Sequence, residues 1–429
     1  MSKHVKYPSY KDSGVQWLGK IPEHWTTTKV KYKAPFQVGW TPATKDENNF
    51  IGMNTWVTIR DLKSRNITEA SNSISDTAVA NASMNITPKG SLLYSFKLSV
   101  GTVAFAGKDL YTNEAIASFL QNDKTDILYL YYATPLFILQ NASENIYGAK
   151  ILNQELIKNA TLALPPLKEQ QTIANYLDIA TAKIDTLIKK QTKLIELLRE
   201  KRQAVISTAV TRGLDNTVAK KDSSIEWLGE IPEHWEVKKF KHLFQIRKRI
   251  SGELGFNILS ITQKGIKVKD IESGKGQLSS DYTKYQHVYK GDFAMNHMDL
   301  LTGFVDLSKY NGVTSPDYRV FSLVENKASV DYYLYILQMG YLNKIFYPLG
   351  QGSSEFGRWR LPAEAFKEFR APFPPLDEQK KIALYIKDSL DKYEKLITKS
   401  TKAIDLLKEK RTALISSAVT GKIDVREIA

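Results

Sequence analysis

No cysteine occurs in these 429 residues, which removes disulfides, thiolate zinc sites and a cysteine nucleophile from consideration. No apolar run approaches the roughly 18 residues that a membrane-spanning helix requires. The opening stretch, MSKHVKYPSYKDSG, has no apolar core of the kind that directs secretion, so a cytoplasmic location away from any membrane is expected. Negative charge is also scarce. Lys and Arg number 60 against 46 Asp and Glu, a formal net charge of +14 with a pI near 9.4. That surplus favours a polyanionic partner, nucleic acid ahead of a membrane, because no basic amphipathic anchor or acylation signal accompanies it. A merely soluble basic protein is the other reading. Hydrophobic residues at 42% and aromatics at 11% are those of a folded chain, and the length allows about three domains.

What the sequence does contain, it contains twice. DSGVQWLGKIPEHW (Asp12–Trp25) returns as DSSIEWLGEIPEHW (Asp222–Trp235), and LPPLKEQQTIANYL…IELLREKRQAVISTAVT (Leu164–Thr211) returns as FPPLDEQKKIALYI…IDLLKEKRTALISSAVT (Phe373–Thr420). The period, roughly 210 residues, is far beyond that of a solenoid repeat. The residues enclosed by each frame hardly match. A constant frame around two unlike inserts suits a protein that reads two different things at a fixed separation.

The long repeated block has the pattern of a coiled coil. Apolar residues at alternating spacings of four and three run through Ile173, Leu177, Ala180, Ile184, Leu187, Leu194, Leu198 and Val205, with Gln191 as a polar member and Ile188 and Ile195 widening the stripe. The second copy keeps the register with Ile382, Ile386, Tyr393, Leu396, Ala403, Leu407 and Leu414, and Ser400 stands where Gln191 did. Pro165-Pro166 and Pro374-Pro375 suit helix starts, and Gly213 and Gly421 suit helix ends. The first insert leads into the first helix, and the second insert follows that helix after only a short polar link. If the helices pair, they must therefore run antiparallel, with one globular domain at each end and a pseudo-twofold axis between. About 40 residues at 1.5 Å each give roughly 60 Å, long enough to hold both domains over one face of B-DNA, where successive major-groove faces are about 34 Å apart.

Each insert mixes short β-type runs, turns and brief helices. Ser91–Phe96 follows the turn Pro88-Lys89-Gly90, Asp292–Met295 follows Lys290-Gly291, and Val100–Phe105 and Thr302–Leu307 look like related second strands. Ile127–Asn141 and Tyr332–Leu342 are aromatic-rich and helix-compatible. The expected fold class is α+β: two globular α/β domains separated by a long antiparallel two-helix coiled coil. The expected boundaries are 1–163 for the first domain with its repeat block, 164–213 for the first helix, 214–372 for the linker, second block and second domain, and 373–429 for the second helix and tail.

Basic residues gather where each insert begins. Lys29, Lys31 and Lys33 alternate along an expected strand, and Lys238, Lys239, Lys241, Arg247, Lys248 and Arg249 crowd the second copy. Several ammonium groups on one strand face suit phosphates spaced along a nucleic-acid backbone; a solvated surface is the alternative for any single one. Before the second helix lies GQGSSEFGRWR (Gly350–Arg360), in which Ser353 and Ser354 permit close backbone approach and Arg358 and Arg360 offer guanidinium forks for guanine O6 and N7. The matching loop Asn145–Lys150 carries less charge. Arg319, within Ser315-Pro316-Asp317-Tyr318-Arg319, and the segment Thr112–Ala115 are weaker candidates, since turns need no function.

A search for a reaction centre fails. Gly14–Lys20 has the spacing of a phosphate loop, but Ile21 stands where a magnesium-holding Ser or Thr is needed, and the second copy has Ser224 and Glu230 in place of Gly14 and Lys20. Asp222 with Glu236-Val237-Lys238 resembles a nuclease set, yet the first copy has Thr26 and Thr28 there. There is no glycine-rich methyl-donor loop and no Asn-Pro-Pro-Tyr. The six histidines, His24 and His234 among them, show no metal-ligand spacing, and packing or docking against the helices accounts for that pair better than catalysis. No catalytic residue, metal or cofactor is therefore assigned to the chain.

The two Trp-Leu-Gly-x-Ile-Pro-Glu-His-Trp blocks, the two Pro-Pro-Leu-x-Glu-Gln helix starts and the two Glu-Lys-Arg…Ala-Val-Thr helix ends resemble the specificity (S) subunit of type I restriction–modification systems, over nearly the whole chain. The resemblance implies two target recognition domains on paired helices. They would bind a bipartite, asymmetric double-stranded DNA site with a non-specific spacer. It also implies docking of two methyltransferase (M) subunits and two ATP-dependent restriction/translocase (R) subunits. S-adenosylmethionine, ATP and magnesium would then belong to those partners. A stand-alone nuclease or methyltransferase, and a structural coiled-coil adaptor, are the competing readings.

Overall fold

The computed structural model describes residues 5–144, 146, 148–271, 279, 281–352 and 359–427. The chain divides into two compact units. One comprises residues 1–191 and 402–429, the other residues 192–401. Each unit therefore holds one globular domain and portions of two long helices, Leu167–Arg212 and Leu376–Val419. Both helices begin directly after their proline pair, which fixes an extended approach and offers no backbone donors. Gly213 and Gly421 follow the ends with φ of +74° and +71°, the left-handed conformation that glycine adopts without penalty.

Within the first unit, Ile173, Ala174 and Leu177 from the start of the first helix share one core with Ala418 and Val419 from the end of the second. Within the second unit, Ile206, Ala209 and Val210 from the end of the first helix share a core with Ile382, Ala383 and Ile386 from the start of the second. The helices are thus antiparallel in each unit. The expected class, two α/β domains linked by long helices that pack together, holds.

The helix seam departs from its expected register by one residue on alternate turns. The less exposed row of the first helix is Leu177, Thr181, Ile184, Ile188, Gln191, Ile195 and Leu198; that of the second is Ile386, Leu390, Tyr393, Ile397, Ser400, Ile404 and Leu407. Leu187, Leu194 and Leu396, expected in the seam, are 47%, 41% and 45% exposed. At each of these three turns the leucine is followed directly by an isoleucine, Ile188, Ile195 and Ile397. A heptad accommodates apolar residues at adjacent positions, so the pattern alone does not say which faces in; in the folded chain the β-branched neighbour does. Near the ends of the seam, Arg411 pairs with Asp185 at 3.1 Å in the first unit and Arg202 with Glu394 at 3.6 Å in the second. The two pairs occupy corresponding repeat positions.

The domains share a central sheet that their sequences conceal. In the first domain Phe36–Val38, Ile116–Phe119, Leu92–Ser95 and Val103–Ala106 lie side by side in that order, and Asn66–Ile67 adds a fifth, edge strand. In the second, Phe244–Arg247, Arg319–Leu323, Phe293–Met295 and Val305–Leu307 form the same sequence of neighbours. Helices Ile127–Phe137 and Val330–Leu342 pack on these sheets and contribute the buried Tyr129, Phe137, Tyr332 and Tyr333. The coverings differ. The first domain adds a sheet of Tyr111–Thr112, Asn54–Val57 and Asn72–Ile74 and has two parallel pairings. The second adds the hairpin Leu259–Thr262/Gly265–Val268 and the pair Gln286–Val288/Gly312–Thr314, both antiparallel.

Candidate nucleic-acid interface

The repeated motifs build one clamp per unit, and the clamp positions each domain on the helices. In the first unit the Glu169 carboxylate, in the first turn of its helix, accepts the Trp25 indole N–H at 3.0 Å and lies 2.7 Å from His24 Nε2. In the second, Glu378 accepts from Trp235 at 3.0 Å and lies 2.8 Å from His234 Nε2. A carboxylate suits this position, where the helix N-terminus is electropositive. The next residue holds the domain: Gln170 Oε1 accepts the Asp126 N–H at 2.9 Å, and Gln379 Oε1 accepts that of Ser329 at 2.7 Å, each at the cap of the domain's own helix. The opposite long helix ends against the same block. A Cβ on Gly421 would fall 2.3 Å from Pro22, and one on Gly213 would fall 3.2 Å from the Trp235 ring. The Trp, His, Glu, Gln and Gly of the repeat are therefore parts of one joint, as the docking reading of His24 and His234 anticipated.

The expected cations are distributed unevenly. Lys29 ends the strand Thr26–Lys29, but Lys31 and Lys33 stand on a helical turn, Val30–Lys33, so the three do not alternate along one strand as expected. The turn forms where Val30 is drawn into the core and its N–H bonds the Ala160 carbonyl. All three lysines are exposed. Lys29 donates to Thr161 Oγ1 at 2.9 Å and Lys31 to Asn159 Oδ1 at 3.1 Å, neutral partners that leave the charges available.

In the second unit most of the cluster is paired internally. Lys239 and Lys241 share Glu368, whose carboxyl they hold down at about 2, and Lys238 bonds Glu325 at 3.0 Å. Arg249 pairs with Asp292 at 2.6 Å, and Arg247 donates to Ser322 Oγ at 2.8 Å. Lys248 is exposed. Arg319 departs furthest from expectation. It is 5% exposed, donates to the Leu361 carbonyl at 2.9 Å, packs over Phe366, and burial lowers its guanidinium to about 10. Strand alternation puts it on the face of Phe321, toward the core that holds Leu361 and Phe366, while Tyr318 and Val320 turn to the other apolar cluster, and it is a structural residue there.

Of the loop Gly350–Arg360, Ser353, Ser354 and Arg358 lie outside the described residues. Its stem is built: Gln351 and Arg360 exchange backbone hydrogen bonds of 2.9 and 3.0 Å, and Arg360 is exposed. The stem also ties into the segment after the sheet strand Phe293–Met295, with Leu300 N–H on the Trp359 carbonyl and Leu361 N–H on that of His297, both at 2.9 Å. Beside it opens a cleft of about 910 Å³, walled by Ile258–Ser260, Tyr285, Asn296, Asp299 and the turn Ser315–Tyr318. The corresponding loop of the first domain, Asn145–Lys150, is described only in part; its ends form the pair Ser143–Glu144/Lys150–Ile151.

Sequence reasoning missed Glu169, Gln170, Glu378 and Gln379 as working residues, although their recurrence in Pro-Pro-Leu-x-Glu-Gln was visible; the partners that explain them lie about 145 and 50 residues away. Among the described residues no group of three or more His, Asp or Glu could hold a metal ion, and no helix is long and apolar enough to cross a membrane.

This architecture has known relatives. A family model described as the type I restriction modification DNA specificity domain matches residues 22–197 and again 232–406. The chain is 25% identical over 437 residues to the type I restriction enzyme MjaIX specificity subunit of Methanocaldococcus jannaschii, covering 96% of each. It is 22% identical over 375 residues to the EcoBI specificity subunit of Escherichia coli, covering 78% of this chain and 75% of that one. Among solved structures, a chain from work on complex assembly and conformational transition of the type I R-M system superposes with a TM-score of 0.68 at 12% identity, over 93% of this chain and 98% of the other. The HsdS subunit from Thermoanaerobacter tengcongensis gives a TM-score of 0.54 at 12% identity, over 94% and 98%. Those two likenesses concern the fold; the family model, matched once over each repeat, carries the assignment, and the chain belongs to the type I restriction modification DNA specificity family.

Proposed function

We propose that each domain reads one half of a bipartite, asymmetric site in double-stranded DNA, that the helix pair sets the spacer between the halves, and that the chain scaffolds two methyltransferase and two restriction/translocase subunits. As the specificity subunit of a type I restriction–modification complex it binds DNA and determines which sequence the complex acts on. Methyl transfer and cleavage, with their S-adenosylmethionine, ATP and magnesium, then reside in the partners. The observation that carries the reading is the same clamp built twice around a common sheet with unlike coverings. Identical joints make two sensors interchangeable in placement, and different coverings make them different in what they contact.

The exposed Lys29, Lys31, Lys33, Lys248 and Arg360 are the groups available to phosphates, which contribute salt-dependent affinity without sequence choice. The test is an exchange. Replacing the second domain, between Trp235 and the helix start at Leu376, by that of a relative with another target should change one half of the methylated motif and leave the other half and the spacer intact. A motif that survives the exchange unaltered, or changes in both halves, would sink the reading.

A further inference from the structure

The turn Ser315–Tyr318 and the segment Asn296–Asp299 lie at the same end of the second domain's two inner sheet strands, one just before Arg319–Leu323 and the other just after Phe293–Met295. Both line the cleft. Most polar groups there are already committed. Asp281 accepts from Thr283 and pairs with Lys284, Asp299 accepts from the Leu301 and Thr302 N–H groups, and Ser315 Oγ accepts the Asp317 N–H at 3.2 Å. Gln286 holds the turn itself, donating to the carbonyls of Ser315 at 3.0 Å and Tyr318 at 2.7 Å. Two other groups among the described residues stand apart. The Asp317 carboxylate is exposed at the mouth, and Asn296 Oδ1 is buried in the wall with no partner.

Three carboxylates line the cleft, yet no three acidic or histidine side chains among the described residues could hold a metal ion. On a surface that meets DNA, the Asp317 carboxylate would repel phosphates and gain only where it meets a donor, and the donors that the major groove offers are the exocyclic amino groups of cytosine and adenine. The first domain supplies the contrast. At the corresponding place, two residues before its own strand Ile116–Phe119, stands Glu114, and this carboxylate is occupied by Thr41 and by Lys97 at 3.3 Å. A carboxylate in the turn before this strand is closed in one domain and open in the other.

We infer that Asp317, in the cleft that Asn296 also lines, is a specificity-determining residue of the second domain that accepts a hydrogen bond from a base amino group, cytosine N4 or adenine N6, in that domain's half-site. This rests on the proposed function above and assigns it a group and a chemistry.

The experiment uses the full chain assembled with its methyltransferase subunits, carrying Asp317→Asn, Asp317→Ala or, as the counterpart, Glu114→Gln, and reads the methylated motif across a genome. Both Asp317 variants should relax or change one position in one half-site, with discrimination there falling about tenfold to a hundredfold, while the other half and the spacer persist. Glu114→Gln should leave every position unchanged. An unaltered motif in both Asp317 variants overturns the inference. So does a uniform drop at all sites, which would mark Asp317 as a contact to a partner protein or a support of the fold; thermal unfolding of each variant separates those two. Failure of the underlying reading looks different, because then exchange of the whole second domain would also leave the motif untouched.

Discussion

The two halves of this molecule use one joint with unequal rigour. In the first unit Glu169 is 8% exposed and holds three donors, since Tyr7 adds its hydroxyl at 2.8 Å to those of Trp25 and His24. Arg426 stacks over the Tyr7 ring and is bonded to Asp424, whose backbone N–H reaches the Val5 carbonyl. Burial, reinforced by the hydrogen bond to Glu169, pushes the Tyr7 phenol well above its ordinary range, so it stays a donor. In the second unit Glu378 is 27% exposed and holds only Trp235 and His234. The second joint lies mid-chain, where Thr217 stands at the position that Tyr7 occupies in the first. The comparison teaches that the conserved frame fixes which contacts form, and the flanking residues fix how dry and how strong they are.

The sharpest way to break that comparison is to remove each carboxylate. Glu169→Ala leaves the buried Trp25 and Tyr7 donors without an acceptor, at about 1–3 kcal/mol apiece, so a loss of roughly 3–5 kcal/mol is expected. Glu378→Ala strands only Trp235 beside a half-exposed histidine, and roughly 1–2 kcal/mol is expected. Urea unfolding of both variants decides the matter, and equal losses would show that the extra donor and the terminal wrap contribute nothing.

The second comparison concerns acid. His297, in the second domain, is buried beside Arg319, with Nδ1 unpartnered; burial first, then the neighbouring guanidinium, hold it down at about 3. The first unit's His24 is 39% exposed. Because the folded pKa lies below the ordinary 6.5, the unfolded chain takes up a proton that the folded domain refuses, and stability falls as pH drops from about 6.5 towards 3. At pH 5 the loss is roughly 2 kcal/mol. His297→Gln should remove most of this dependence. A second unit whose unfolding free energy is flat between pH 7 and pH 5 would contradict the buried neutral imidazole.

How much of this was legible in the chain depends on the range of the interaction. The long helices, their starts at Pro165-Pro166 and Pro374-Pro375 and their ends at Gly213 and Gly421 were all visible, because period, proline and glycine act locally. The strands Leu92–Ser95 and Phe293–Met295 fell inside the expected runs for the same reason. The shared sheet order was not visible, since a strand's neighbours are chosen by packing between segments distant in sequence. The candidate site fared worst. Nothing near Lys239 or Lys241 announces Glu368, and nothing near Arg319 announces the Leu361 carbonyl, so most of the second unit's apparently basic cluster proved to be paired and one arginine proved to be buried.

The smallest effect tests the register of the seam, where pattern and structure disagree by a single residue. Ile184 is 6% exposed and Leu187 is 47% exposed, although both belong to the heptad series expected to face inward. Ile184→Val removes one buried methylene and should cost about 1 kcal/mol. Leu187→Val removes the same atoms from a side chain that is half in water and should stay within about 0.5 kcal/mol of the parent. Valine costs more helix propensity in place of leucine than in place of isoleucine, which works against the expected ranking, so a larger loss at Ile184 reports burial. If thermal unfolding of the free chain ranks them the other way, then Leu187 faces inward and the seam follows the simple heptad. If the observed ranking is as stated, Leu187 and its counterpart Leu396 each lie outside the seam of their own unit, and their exposure is set by the isoleucines that took the inner place.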